Sequence, residues 1–205
     1  MLAVIDYGAG NLQSVRKALA HIGCESVVAD SPETLRTADA AILPGVGAFG
    51  DAMGQLRARG LEIPIKEFIS SGKPFLGICL GLQLLFESSG ESPGVEGLGV
   101  LKGKILRIPG KPGLKIPHIG WNSLNLNSRE GLFAGLEGES YVYFVHSYYL
   151  NAEEAVVTST AEYGVEIHTS IQKGNLYACQ FHPEKSGEVG IRMLKNFAKA
   201  AENRG

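Results

Sequence analysis

"PFLGICLGLQLLFESS", residues 74–89, changes character at Cys79. Residues 74–79 form an apolar run opened by proline, the pattern of a strand buried on both faces. Residues 80–89 continue with Leu, Gln and Glu, good helix formers, and the reading is strand, turn, helix. That unit builds a parallel sheet with helices on its faces, and it puts Cys79 at the turn. In open parallel sheets ligands bind beyond the carboxyl ends of the strands, where this turn lies.

The same alternation runs through the first half. "LAVID" at 2–6, "SVVAD" at 26–30 and "AAILPG" at 40–45 read as further buried strands. Between them, "NLQSVRKALAHIG" sets Leu12, Val15, Leu19 and Ile22 on one helical face and stops at Gly23. "SPETLRTA" opens with a serine cap followed by proline at the first helical position. The pattern predicts an α/β fold with a central, mostly parallel sheet flanked by helices. Beyond residue 98 strands dominate: "LGVLKGKILRIP", "YVYFVHSYYL", "EAVVTST", "VEIHTSIQKG" and "NLYACQF", then a last helix over roughly 187–202. Residues 86–97 read as a surface loop beside the strand ends. No repeat, low-complexity segment or linker interrupts the chain, and residues 1–205 are expected to form a single domain.

Nineteen basic and 21 acidic residues leave a net charge of −2 with no block of like charge, which excludes an electrostatic footprint for nucleic acid or an anionic membrane. No apolar run approaches the ~20 residues that span a bilayer, and the first residues carry no basic signal region. Three cysteines without a CxxC pair argue against a disulfide framework or a zinc site and fit a reducing compartment, so the expectation is a cytoplasmic protein with no metal. "YGAGNL" hints at a dinucleotide loop, but Gln13 stands where the third glycine belongs and Ser26 where the acid does, so no cofactor is expected.

A lone cysteine in an apolar run is by itself a common core residue. Gly77 and Gly81 weigh against that for Cys79: a sharp strand-to-helix turn lifts its central side chain above the sheet and needs small neighbours. The following helix would aim backbone N–H groups at the sulfur. Cys24 and Cys179 lack this setting and read as structural. A thiolate nucleophile needs a base, and the base an orienting partner. "YACQFHPEKSG" supplies His182 at a strand end, held extended by Pro183, with Glu184 as the carboxylate; alone, "HPE" also fits a loop opening the last helix. "ILPGVG", 42–47, ends a strand in glycines that free N–H groups to face an anion at Cys79, or merely ends the strand.

Gly77-Ile78-Cys79-Leu80-Gly81-Leu82-Gln83 with the distant His182-Pro183-Glu184 resembles the triad (class I) glutamine amidotransferases, whose pattern is GxCxGxQ and HPE. "DYGAGNLQSV" at 6–15, "PGVGAFG" at 44–50, "HIGWNSL" at 118–124, "YFVHSYY" at 143–149 and "HPEKS" at 182–186 are similar to one subfamily. Its members are free-standing glutaminase subunits that feed ammonia to a (β/α)₈-barrel cyclase of histidine biosynthesis. The resemblance implies the family's flavodoxin-like fold and a Cys79–His182–Glu184 triad that hydrolyses glutamine. It implies an oxyanion hole at Val46, Gly47 and Leu80, and substrate contacts from Gln83, Glu91, His146, Ser147 and Tyr148. It also implies a heterodimer with the cyclase, faced by Asn11, Trp121, Tyr143 and Lys185. From the residues alone, Gln83 also fits a helix cap, His146 a satisfied core histidine, and Trp121 and Tyr143 core packing. The glycine-rich turn predicts an oxyanion hole that is unformed without the partner. Two rivals stand beside this reading: a glutaminase serving another synthase, and a flavodoxin-like module that uses Cys79 for redox sensing or binding without turnover.

Overall fold

In the computed structural model, which describes residues 1–8 and 10–202, the apolar runs of the first half form four parallel strands. These are β1 (Leu2–Ile5), β2 (Ser26–Ala29), β3 (Ala40–Gly45) and β4 (Phe75–Cys79). Helices α1 (Leu12–His21) and α2 (Pro32–Thr37) connect the first three, and α3 (Phe49–Ala58) with α4 (Glu62–Ser70) lead to β4. The Ser31 hydroxyl accepts a hydrogen bond from the Thr34 amide and caps α2. Pro64 lies in the first turn of α4, where no intrahelical N–H is needed, so it does not break the helix.

The helix expected after Cys79 is a single turn, α5 (Leu80–Gln83). The cause is tertiary. The carbonyls of Leu84 and Leu85 accept from the amides of Leu98 (2.8 Å) and Val100 (2.9 Å), so the returning 98–101 segment takes the groups that would extend the helix. The 86–97 stretch is not all loop, since β5 (Ser88–Ser89) pairs with β6 (Gly103–Arg107).

The remaining strands are β7 (His118–Leu126), β8 (Ser140–His146), β9 (Tyr148–Ala152), β10 (Val157–Glu162), β11 (Glu166–Lys173) and β12 (Leu176–Cys179), before α6 (Gly187–Glu202). "YVYFVHSYYL" is two strands broken at Ser147, and the strand expected at "EAVVTST" begins only at Val157. β7 is a strand that the apolar pattern does not announce. Its exposed Ile119 and Trp121 alternate with polar or small residues, the reverse of the usual apolar-inward arrangement.

β12 crosses back to lie parallel to β4, giving the order β2-β1-β3-β4-β12, and antiparallel strands extend the sheet from β12 through β11 and β10 to β7 and β8. Cys179 is in register with Ile78, so the segment after β12 emerges beside the end of β4. Helices cover both faces of the parallel block. Val15 and Leu19 pack with Leu194 and Phe197 on one face, and Met53, Leu56, Ile65 and Phe68 pack on the other. No described helix is long and apolar enough to cross a membrane.

Candidate active site

Cys79 has φ 56° and ψ −110°, the only positive φ outside glycine among the described residues. Such a backbone costs energy in an L-residue and persists only where its surroundings over-determine it. Here they do. A methyl group at Gly81 would collide with the Leu43 carbonyl oxygen, and one at Gly77 would lie 2.7 Å from the Gly81 carbonyl oxygen. The two glycines let β3, β4 and α5 approach closely enough to force the bend.

His182 follows β12 on a turn held from several sides. Its amide donates to the Tyr143 carbonyl (3.0 Å), and the Ser186 hydroxyl donates to the His182 carbonyl (2.6 Å) while accepting from the Tyr143 amide (3.0 Å). Gly190 of α6 packs directly on the Pro183 carbonyl, leaving no room for a side chain. The imidazole Nδ1–H donates to Glu184 Oε1 at 2.8 Å, with both side chains buried. Nε2 makes no hydrogen bond to any described residue. Burial alone lowers the pKa of His182, but the Cys79 sulfur and the Glu184 carboxylate outweigh it and lift the value to about 9.

Cys79 and His182 open into one cavity of about 320 Å³, at the small end of ligand pockets and suited to an amino acid. Val46, Gly47 and Leu80 line it, as do Gln83, Glu91, His146, Ser147 and Tyr148. Glu184 lies behind His182. Several of these groups are already engaged. Glu91 Oε2 accepts from the Phe49 amide (2.8 Å) at the start of α3, and both N–H groups of Gln83 are used, towards the Tyr148 carbonyl (3.1 Å) and Gln180 Oε1 (2.9 Å). Gln83 is therefore not a helix cap.

His146 is a satisfied histidine and a cavity wall at once. Asn122 Nδ2 donates to His118 Nε2 (3.4 Å), which leaves the His118 proton on Nδ1 to donate to His146 Nε2 (3.0 Å). The His146 proton is then on Nδ1 and donates to the Tyr148 carbonyl (2.8 Å). His118 is stacked between Phe144 and Tyr163. Burial pushes the pKa of His118 down to about 4 and that of His146 to about 3, so both rings are neutral at neutral pH.

Sequence reasoning passes over two residues. Gln180 is fully buried and donates from Nε2 to Cys79 Sγ at 3.6 Å. Its signal is present: an amide closing the apolar run "LYACQF" must find partners or incur a large desolvation cost. Tyr7 is also fully buried, and its hydroxyl makes no hydrogen bond to any described residue. A Cβ at Gly45 would lie 2.7 Å from that oxygen, so the phenol is pressed against the end of β3. Burial, with the nearby Cys79, pushes its pKa up. Tyr7→Phe removes an unsatisfied oxygen and keeps the ring, and is expected to stabilise the chain by about 1 kcal/mol. Urea denaturation checks this; a loss of stability would mean the hydroxyl has a partner in solution.

The four residues assigned to a partner surface lie around the back of the His182 turn. Asn11 Nδ2 donates to Glu184 Oε1 (3.4 Å), Lys185 Nζ sits 6.0 Å from the Tyr143 ring, and Trp121 meets that ring edge-on at 6.2 Å. Trp121 is 56 % exposed, which excludes core packing for it, and Ile119 and Tyr141 beside it are also exposed.

The family model described as "Glutamine amidotransferase class-I" matches residues 3–201. The chain is 51 % identical to the protein of Methanothermobacter thermautotrophicus named imidazole glycerol phosphate synthase subunit HisH, over 97 % of this chain and 98 % of that one. It is 50 % identical to the protein of the same name from Moorella thermoacetica, over 100 % and 97 %. A crystal structure described as glutamine amidotransferase superposes with a TM-score of 0.76 at 22 % identity, covering 98 % of each chain, which speaks to the fold alone.

Proposed function

The chain belongs to the class-I glutamine amidotransferases, and from that premise we propose that it is the glutaminase subunit of an imidazole glycerol phosphate synthase. The observation that carries the catalytic reading is the convergence of Cys79 and the His182–Glu184 pair, from strands far apart in sequence, on one amino-acid-sized cavity. Cys79 passes its thiol proton to His182 and attacks the side-chain carbonyl carbon of glutamine, and the resulting oxyanion is held by N–H groups near Gly47 and Leu80. His182 gives its proton to the departing nitrogen, the C–N bond breaks, and ammonia leaves a thioester on Cys79. His182, now neutral, takes a proton from water; the hydroxide adds to the thioester, and glutamate leaves with its sulfur bond broken. Glu184 orients the imidazole throughout. Gln83 can offer substrate only its Oε1, because both its N–H groups are spent.

The ammonia passes to a (β/α)₈-barrel cyclase, which makes imidazole glycerol phosphate and an aminoimidazole ribotide, a lyase reaction of histidine biosynthesis in the cytoplasm. An exposed apolar patch beside polar groups marks a docking face, and Ile119, Trp121 and Tyr141 with Asn11, Tyr143 and Lys185 supply one next to the triad. We assign the heterodimer contact there. Val46 and Gly47 (φ 97°) sit on a turn that can rotate peptides cheaply, which supports an oxyanion hole completed on partner binding. β12, seated beside β4, supports residues 1–205 acting as one domain.

The test is glutamate release by the chain alone and then with the barrel cyclase and its nucleotide ligand. Strong stimulation by the loaded cyclase is expected; activity indifferent to it would remove the histidine assignment and leave a glutaminase for another synthase. A pH profile tests the base. The folded His182 pKa stands above the ordinary value of about 6.5, so its stabilising contribution is complete below that pH and is lost as pH rises through about 9. The alkaline limb of kcat/KM is expected near pH 9. Glu184→Gln removes a carboxylate that raises this value and should move the limb to lower pH. An unmoved limb would count against Glu184 as the orienting group.

A further inference from the structure

We propose that Gln180 is a positioning residue for the nucleophile, its side-chain amide directing the Cys79 thiol while being held in place by the cavity wall. The inference rests on the glutaminase reading above. Gln180 is fully buried at the end of an apolar strand, where an amide without partners would be strongly unfavourable. Its two ends do different work. Oε1 accepts from Gln83 Nε2 at 2.9 Å, and Nε2 donates to Cys79 Sγ at 3.6 Å.

The orientation cannot reverse. A flipped Gln180 would face its NH₂ towards the NH₂ of Gln83, and the latter is pinned by its second bond, to the Tyr148 carbonyl at 3.1 Å. That carbonyl is pinned in turn by the Nδ1–H of His146, whose tautomer is set by the stacked His118. The donor aimed at the sulfur is thus fixed by a chain of hydrogen bonds through the wall formed by the break between β8 and β9. Of the staggered positions open to a cysteine side chain, a fixed donor favours one. A donated N–H also counts for most when the sulfur carries charge, which it does as it attacks. Backbone strain lifts Cys79 to the cavity, and Gln180 determines where its sulfur points.

The experiment uses the complex with the cyclase for turnover and iodoacetamide for the thiol. Gln180→Met keeps the length and removes both the donor to Cys79 and the acceptor for Gln83. Its kcat for glutamine hydrolysis is expected to fall about ten- to a hundred-fold, with KM within about three-fold of the parent. Alkylation of Cys79, measured above the Cys79→Ala background, should slow alongside it. A residue that merely filled space would change the melting temperature without touching the alkylation rate. Gln180→Glu keeps the shape and the acceptor for Gln83 but turns a carboxylate oxygen to the sulfur, and should lose more activity than Gln180→Met. In the parent protein labelled with ¹⁵N-glutamine, modifying Cys79 should shift the Gln180 side-chain amide signal, a readout that needs no variant to fold. Parental kcat and alkylation in a natively melting variant, or glutamine amide signals that ignore Cys79 modification, would overturn the proposal. The premise fails separately: if Cys79→Ala still hydrolyses glutamine, the glutaminase reading is wrong. If Cys79→Ala abolishes hydrolysis while Gln180→Met is unaffected, only the role of Gln180 is lost.

Discussion

Cys79→Ala is expected to reduce glutamine hydrolysis by the cyclase complex by at least about a thousand-fold, since removing the nucleophile of a triad leaves only binding and oxyanion stabilisation. The sulfur is the one nucleophilic atom at the strand-to-helix bend, and His182 alone of the five histidines combines a place in the cavity with a carboxylate partner. Alanine fits the same bend, because the strain at φ 56° belongs to the backbone and is enforced by the close packing at Gly77 and Gly81. The variant should therefore fold. Its expected costs are a small cavity and the loss of the bond from Gln180, so its melting temperature should stay within about 10 °C of the parent. Glutamate release with the loaded cyclase is the measurement, with circular dichroism to establish folding. A folded Cys79→Ala chain that retained turnover would place the nucleophile elsewhere.

Gly81→Ala is expected to be severe through the fold instead. The added methyl would meet the Leu43 carbonyl, a backbone group inside β3 that can yield only if the strand end moves. That strand end leads into the turn through Gly47, so relief of the clash would displace this turn as well as the bend at Cys79. Overpacking against backbone costs about 3 kcal/mol or more, which for a chain of this size lowers the melting temperature by roughly 6–12 °C. Activity should fall with it. Gly54→Ala is the matched control. Gly54 lies inside α3, where an added methyl would meet nothing within 4 Å, and the substitution is expected to stabilise by about 0.5–1 kcal/mol. Thermal melts of the two variants should move in opposite directions. A Gly81→Ala chain as stable as the parent would mean that the bend does not depend on close backbone approach.

Much of this architecture is legible in the sequence. The four N-terminal strands, the capped start of α2 and the bounds of α6 follow from apolar periodicity and turn residues that act within a few positions of each other. The bend at Cys79 is legible because glycines at fixed offsets report a steric demand, and His182 because Pro183 restricts its backbone. What escapes lacks one consistent apolar face or depends on residues far along the chain. β7 hides because its apolar residues change face along the strand, Ile119 and Trp121 being exposed and Leu124 and Leu126 packed on the core, and α5 ends early because a segment more than ten residues on claims the carbonyls that would extend it.

The parallel block, the sharp turn at Cys79 and the histidine–glutamate pair are each encoded by neighbours along the chain. Only the tertiary structure decided how the buried polar groups are matched: Gln180 to Gln83 and to Cys79, 97 and 101 positions away, His118 to His146, and the Tyr7 hydroxyl to no described residue. The physical reason is that a buried amide or imidazole must find a partner wherever packing delivers one, and neither its distance along the chain nor its identity leaves a periodic trace.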